Sequence, residues 1–173
     1  MVSKVNKIKI KVEFRNGQFF VKGSEFGSYY DKGFGIKYEG YFILETYEVL
    51  YLFEKQKIEV LRLGEKLLFD DILKFSKIIF NDYLVYKDLR SKGYLIKSGL
   101  KYGVKFRVYN KGIKIGESHS LWLVEPISVV KKINFNLLLS KIRVSHSTKK
   151  DLVIAICDSE NSITYISYNW LKF

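Results

Sequence analysis

The sequence predicts an α/β (α+β) chain of two domains. A small N-terminal mixed α/β domain spans 1–80, and a C-terminal domain with a mixed central sheet flanked by helices spans 81–173. Three observations carry this reading. Stretches of period two alternate with stretches of helical spacing in both halves of the chain. The 173 residues are 47% hydrophobic, enough to bury real cores. The charge is unevenly divided, +3 over residues 1–80 and +9 over residues 81–173 of a total of +12. No Gly/Ser tether marks the boundary, which the pattern puts near 76–84, so packing rather than a loose linker is expected to hold the halves together.

Residues 6–14 set Ile8, Ile10, Val12 and Phe14 against Lys7, Lys9, Lys11 and Glu13, an amphipathic strand. Asn16-Gly17 is a strong turn signal leading into a second strand at Phe19-Phe20-Val21. GSEFGSYYDKGFGIKYEG has no steady period and reads as a loop with a short strand. Residues 41–54 suit one buried helix, with Leu44, Tyr47, Leu50 and Phe53 spaced by three, and 57–63 suits a strand. Phe69-Asp70-Asp71 opens a helix with Ile72, Phe75 and Ile79 on its apolar stripe. A further helix covers 81–91, with Asn81 or Asp82 as cap, Tyr83, Tyr86 and Leu89 on one side and Lys92-Gly93 as the stop.

The second half opens with a strand at Tyr94-Leu95-Ile96. Residues 104–109 follow as a half-buried strand in which Val104, Phe106 and Val108 alternate with Lys105, Arg107 and Tyr109, so Tyr109 falls on the charged face. A turn around Lys111-Gly112 and Gly116 leads to Ser118-His119-Ser120 and a short apolar strand at 121–124. A helix is expected near Asn134 with Phe135, Leu138, Leu139 and Ile142 inward. DLVIAICD, residues 151–158, fits a central strand, and 162–170 a last one.

Composition removes several classes of function. The single cysteine, Cys157, excludes an internal disulfide and a multi-thiolate metal site and points to an intracellular, cytoplasmic setting. Two histidines, no HExxH and no closely spaced carboxylates give a metal mechanism little support, so no metal and no cofactor is expected. No apolar run is long enough for a membrane span, and the first residues lack the apolar block of a signal peptide. The basic excess favours a polyanionic partner for the second half.

Tyr109, His119 and Lys150 are the candidates for chemistry. A strand side chain facing out, a residue at the mouth of the next loop and a lysine at a helix-to-strand junction converge at one sheet edge. For RNA such a set suffices, because the ribose supplies its own 2′-hydroxyl nucleophile. Tyr109 is then the general base, His119 the general acid and Lys150 the cation on the transition-state oxygens. Imidazole titrates near ~6.5 and needs no help as the acid. A phenol ordinarily ionises near ~10, so the base role requires Lys105, Arg107 or Lys150 to favour phenolate, or a tyrosine that acts by hydrogen bonding and orientation. Each residue also has a plain structural use: tyrosines pack, His119 can end a strand, and His146 can end a helix.

The segments FRVYNKG and HSLWLV, followed by R-x-x-H-S-x-x-K-x-L-V-x-A, resemble the catalytic domain of archaeal tRNA-splicing endonucleases, and YKDLRSKGYLIKSGLKYGVKFRVY resembles its opening. The likeness covers 86 to about 166, with the first 80 residues fitting the family's N-terminal domain; the steps of ten residues from Tyr109 to His119 and thirty-one to Lys150 match its catalytic spacing. The resemblance implies a metal-independent nuclease that cleaves precursor tRNA at bulge–helix–bulge motifs. Tyr109, His119 and Lys150 would be its triad, and the products would carry 2′,3′-cyclic phosphate and 5′-hydroxyl ends. It assigns His146 to structure. Arg143 takes a position that contacts a flipped base, Arg107 and Lys105 are RNA-binding cations, and Tyr165 stands where some relatives place a second arginine.

By the same resemblance the chain works as a homotetramer, or as a heterotetramer with a structural subunit, and the loop carrying Asp158 and Glu160 inserts into a positive pocket of a partner. Its alternative is a solvated turn. The competing readings are a noncatalytic structural subunit, an RNA-binding module, and a metal-dependent nuclease, the last lacking a recurring carboxylate pattern.

Overall fold

A computed structural model describes residues 9–76, 79–114 and 116–171. The chain is mixed α/β and divides into two compact units, Met1–Ile78 and Ile79–Phe173.

In the first unit β1 (Ile10–Arg15) and β2 (Gln18–Lys22) form a hairpin. Asn16 and Gly17 both take positive φ, 51° and 77°, the backbone that a two-residue hairpin turn matching strand twist requires. Residues 6–8 of the expected first strand lie outside the described residues. The chain continues through α1 (Gly23–Asp31), β3 (Ile36–Lys37), β4 (Tyr41–Leu44), α2 (Thr46–Glu54), β5 (Ile58–Arg62), β6 (Glu65–Lys66) and α3 (Phe69–Ser76). The sheet order is β3-β4-β2-β1-β5-β6, with β1 and β5 parallel and the other pairs antiparallel.

Three expectations change here. The first half of the glycine- and tyrosine-rich stretch folds as α1 rather than loop, with Phe26 fully buried, 5.3 Å from the Tyr29 ring and 5.5 Å from Phe42, while the short strand expected there is β3. Residues 41–54 are a strand and a helix rather than one helix. Phe42 and Leu44 are buried and alternate with half-buried Tyr41 and Ile43, and the Glu48 carboxylate accepts from the Glu45 N–H at 3.0 Å, starting α2 there. Ile79 is not part of the α3 stripe; α3 is Phe69–Ser76, residues 77 and 78 lie outside the described residues, and Ile79 is an exposed N-cap residue of the next helix.

The second unit contains α4 (Phe80–Ser91), β7 (Tyr94–Ser98), a 3-10 turn (Leu100–Tyr102), β8 (Phe106–Lys111), β9 (Trp122–Ser128), α5 (Phe135–Ser147), β10 (Asp151–Cys157) and β11 (Ile163–Tyr168). Its sheet runs β11-β10-β9-β8-β7, antiparallel except where β9 and β10, joined through α5, run parallel. The centre is therefore β9, with the apolar β10 beside it. Strand β9 outruns the expected 121–124 and contains Pro126. Its β8 partners end at Val124, so the missing proline N–H breaks no ladder bond on that side.

Strand alternation separates the faces of this sheet. Leu123, Leu152 and Ile154 pack with Leu138 of α5 and Val104 in one cluster. Phe106, paired with Val124, turns the other way toward Tyr86 of α4, with ring centroids 6.2 Å apart. Asn134 caps α5, its Oδ1 accepting from the Leu137 N–H at 3.2 Å. Of the expected inward residues of α5, Leu138 is buried and Ile142 half-buried, whereas Phe135 and Leu139 face solvent. Asp82 is no cap. It is buried in the first turn of α4 and holds the Lys105 amine at 2.7 Å.

Candidate active site

The backbone at the start of β9 ties the three expected catalytic positions to one end of the sheet. Leu121 donates its N–H to the Val108 carbonyl at 2.8 Å, and its own carbonyl accepts from the Asp151 N–H at 3.3 Å. Tyr109 follows Val108, Lys150 precedes Asp151, and His119 lies two residues before Leu121. The tie is backbone to backbone and follows from the β8-β9-β10 order.

Tyr109 is half-buried on β8. Arg107, two residues earlier and opposite Leu123, lies on the α5 face, and period two puts Tyr109 on the same face. The Arg107 guanidinium carbon is 5.9 Å from the Tyr109 ring centroid, and its Nε donates to the Ser98 carbonyl at 2.8 Å. Lys150 is half-buried at the α5–β10 junction, where Lys149 takes a φ of 55° and the Lys150 N–H donates to the Ser145 carbonyl at 2.9 Å. Its Nζ donates to the Thr148 carbonyl at 2.9 Å. His119 is exposed, its carbonyl accepting from the Ser118 hydroxyl at 3.3 Å. An imidazole free of core packing is open to solvent and to a bound substrate.

Tyr102, between β7 and β8, also stands among these cations. Its ring centroid is 5.0 Å from Lys101 Nζ, 5.7 Å from Lys150 Nζ and 5.8 Å from the Arg107 guanidinium carbon. Burial raises the pKa of its phenol, but the hydrogen bond with Lys101 and the charges of Lys101, Lys150 and Arg107 outweigh it, and the net shift is downward. Tyr102 ends the 3-10 turn within SGLKYG. Gly99 is needed there because an added Cβ would sit 2.7 Å from Val104 Cγ2 and 2.8 Å from the Phe106 carbonyl carbon. Gly99→Ala is expected to cost about 1–3 kcal/mol in urea unfolding by overpacking this turn.

The remaining expected site residues divide. Arg143 is exposed on α5. Lys105 is committed to Asp82, and its N–H donates to Glu125 Oε2 at 2.9 Å, so its charge is neutralised within the fold. Tyr165 pairs with Ala155 on β11 and turns to the α4 face, where its hydroxyl donates to Asp88 Oδ2 at 2.6 Å. The sheet thus separates Tyr165 from α5 and Arg143, and the two form no clamp within one chain. Asp158 Oδ1 accepts from the N–H groups of Glu160 and Ser162 at 2.9 and 2.8 Å, shaping the turn, while Glu160 is exposed. His146 is in the last turn of α5 with its ring 6.0 Å from Trp170.

Burial first, then the bond to Asp88, pushes the Tyr165 phenol well above its usual range. An unfolded tyrosine ionises near ~10, so the stabilisation is fully present below that pH and is lost as pH rises toward the folded value. Tyr165→Phe is expected to be about 1–2 kcal/mol less stable than the parent near neutrality, with the gap narrowing above pH ~10 in urea unfolding.

Among the described residues no group of His, Cys, Asp and Glu side chains is arranged to hold a metal ion, and no helix is long and apolar enough to cross a membrane.

Comparison with known proteins gives matches in both units. The family described as tRNA intron endonuclease, catalytic C-terminal domain, matches residues 79–165, and tRNA intron endonuclease, N-terminal domain, matches 10–73. The chain is 39% identical over 78 residues to the tRNA-splicing endonuclease of Thermococcus kodakarensis, covering 45% of each chain. It is 38% identical over 78 residues to that of Pyrococcus abyssi, covering 45% of this chain and 44% of the relative. Over 77 residues it is 39% identical to that of Methanothermobacter thermautotrophicus, covering 44% and 45%. The matched stretch thus spans a little under half the length of each of these relatives.

Proposed function

The chain belongs to the tRNA intron endonuclease family, and from that premise we propose that it cleaves precursor tRNA at the junctions of bulge–helix–bulge introns by metal-independent transesterification. The observation that carries the reading is the backbone tie at Leu121, with Tyr109, His119 and Lys150 at its three ends.

In this mechanism the ribose 2′-oxygen attacks the adjacent phosphorus and Tyr109 accepts its proton. The bond from phosphorus to the 5′-oxygen breaks, and protonated His119 delivers a proton to the departing oxygen. Lys150 meets the charge growing on the nonbridging oxygens. Arg107, with its guanidinium carbon 5.9 Å from the Tyr109 ring centroid, helps to hold that ring in place. The products are a 2′,3′-cyclic phosphate and a 5′-hydroxyl, and no water enters the bond-making step, which makes the reaction lyase-type.

Arg143 and Arg107 are the RNA-binding cations of this reading, since a guanidinium both stacks on a base and pairs with phosphate. Two cleavage sites on one substrate require two centres at a fixed separation. We therefore assign the chain to a homotetramer, or to a heterotetramer with a structural subunit, in which the exposed Glu160 loop meets a positive pocket of a partner. The reading places it in the cytoplasm.

Incubation with end-labelled precursor tRNA in EDTA tests the proposal. Paired cuts with cyclic phosphate termini are expected. No cutting by the folded chain alone would remove self-sufficiency, and continued inactivity with a structural subunit present would leave RNA binding or scaffolding.

A further inference from the structure

We propose that Tyr102 is a positioning residue of the reaction centre, its ring being the surface on which Lys150 and Arg107 are held at a fixed separation; this rests on the cleavage reading above. A cation within about 6 Å of a ring centroid is drawn to the electron-rich face. Lys150 at 5.7 Å and Arg107 at 5.8 Å both meet that criterion on the one ring. They come from different segments, Lys150 from the junction before β10 and Arg107 from β8. Arg107 also reaches the Tyr109 ring, so Tyr102 is the neighbour through which the expected cation and the expected base are connected.

The ring itself is anchored. It packs against the cluster of Val104, Leu123, Leu138, Leu152 and Ile154. The Tyr102 N–H donates to the Gly99 carbonyl at 2.8 Å, and the carbonyl of Gly103 accepts from Lys141. Tyr102 is therefore fixed to the core while three cations lie within about 6 Å of its ring centroid. Lys101, Lys150 and Arg107 repel one another, and the attraction of each to the electron-rich ring offsets part of that repulsion. Without the ring, the two side chains keep their bonds to the Thr148 and Ser98 carbonyls but lose the shared surface that sets their separation, and a small misplacement of a catalytic group is costly in rate.

Tyr102→Leu and Tyr102→Phe are compared in cleavage of precursor tRNA, with melting curves to confirm folding. The leucine variant is expected to lose about ten- to a hundredfold in kcat with KM within about threefold of the parent, and the phenylalanine variant to recover to within about threefold. A leucine variant as active as the parent overturns the proposal. So does a phenylalanine variant as impaired as the leucine variant, which would make the phenol oxygen a reacting group.

A second readout needs no RNA. With lysines reductively methylated in carbon-13, the Lys150 signal, assigned by its loss in Lys150→Arg, is expected upfield of the bulk lysines through the ring current of Tyr102. It should stay there in the phenylalanine variant and join the bulk in the leucine variant. A Lys150 signal at the bulk position in the parent overturns the proposal. A displaced signal in a chain that does not cut RNA even with a structural subunit present removes the cleavage reading and leaves the held cations standing.

Discussion

His119→Ala is expected to slow strand scission by about a hundred- to ten-thousandfold, the range for removing a positioned general acid. Folding should be unaffected, because His119 is exposed in the connection between β8 and β9. Single-turnover rates and melting curves measured together separate these effects. A leaving-group test sharpens the assignment. A thiolate departs without protonation, so a substrate with sulfur in place of the 5′-oxygen should restore most of the lost rate to the alanine variant. Failure of that rescue would move His119 out of the acid role.

Lys150→Ala is expected to lower kcat by about a hundred- to a thousandfold, the range for losing one donor to a charge that develops in the transition state. RNA affinity should fall much less, since one cation among thirty Lys and Arg contributes one counterion to binding. Lys150→Arg is expected to restore only part of the rate. A planar fork does not place its charge where the ammonium sits, 2.9 Å from the Thr148 carbonyl and 5.7 Å from the Tyr102 ring. A proportional loss of binding and rate in Lys150→Ala would instead make Lys150 a phosphate anchor.

What the sequence made legible was whatever a local period or a local cap decides. Asn16-Gly17 specified its own turn, the alternation around Phe106 and Val108 put Tyr109 on the charged face opposite them, where it is half-buried, and Asn134 marked the start of α5. The strand at 41–44 was hidden because its apolar residues suit either period, and the choice was made by pairing with β2 and by Glu48 reaching back to Glu45. Helix α1 was hidden for a similar reason, its one buried residue being Phe26.

The candidate site followed the same division. The positions of Tyr109, His119 and Lys150 along the chain were readable from motif spacing, but the tie through Leu121 depends on strands far apart in sequence. Tyr165 and Lys105 show the limit most clearly. Which face Tyr165 occupies depends on its register opposite Ala155, and the charge of Lys105 is answered by Asp82, on a helix whose packing no local pattern announces. Tyr102 became visible only when three cations from separate segments closed around it.

The most direct measurement uses two precursor tRNAs, one all-ribose and one with a single 2′-deoxyribose at one exon–intron junction, each incubated with the chain and any structural subunit it requires in EDTA. The mechanism predicts two cuts in the first. In the second it predicts loss of the cut at the deoxy junction alone, with a cyclic phosphate at the junction still cleaved. Equal cutting at the deoxy junction would contradict it, because the attacking oxygen would then have to come from somewhere other than the substrate.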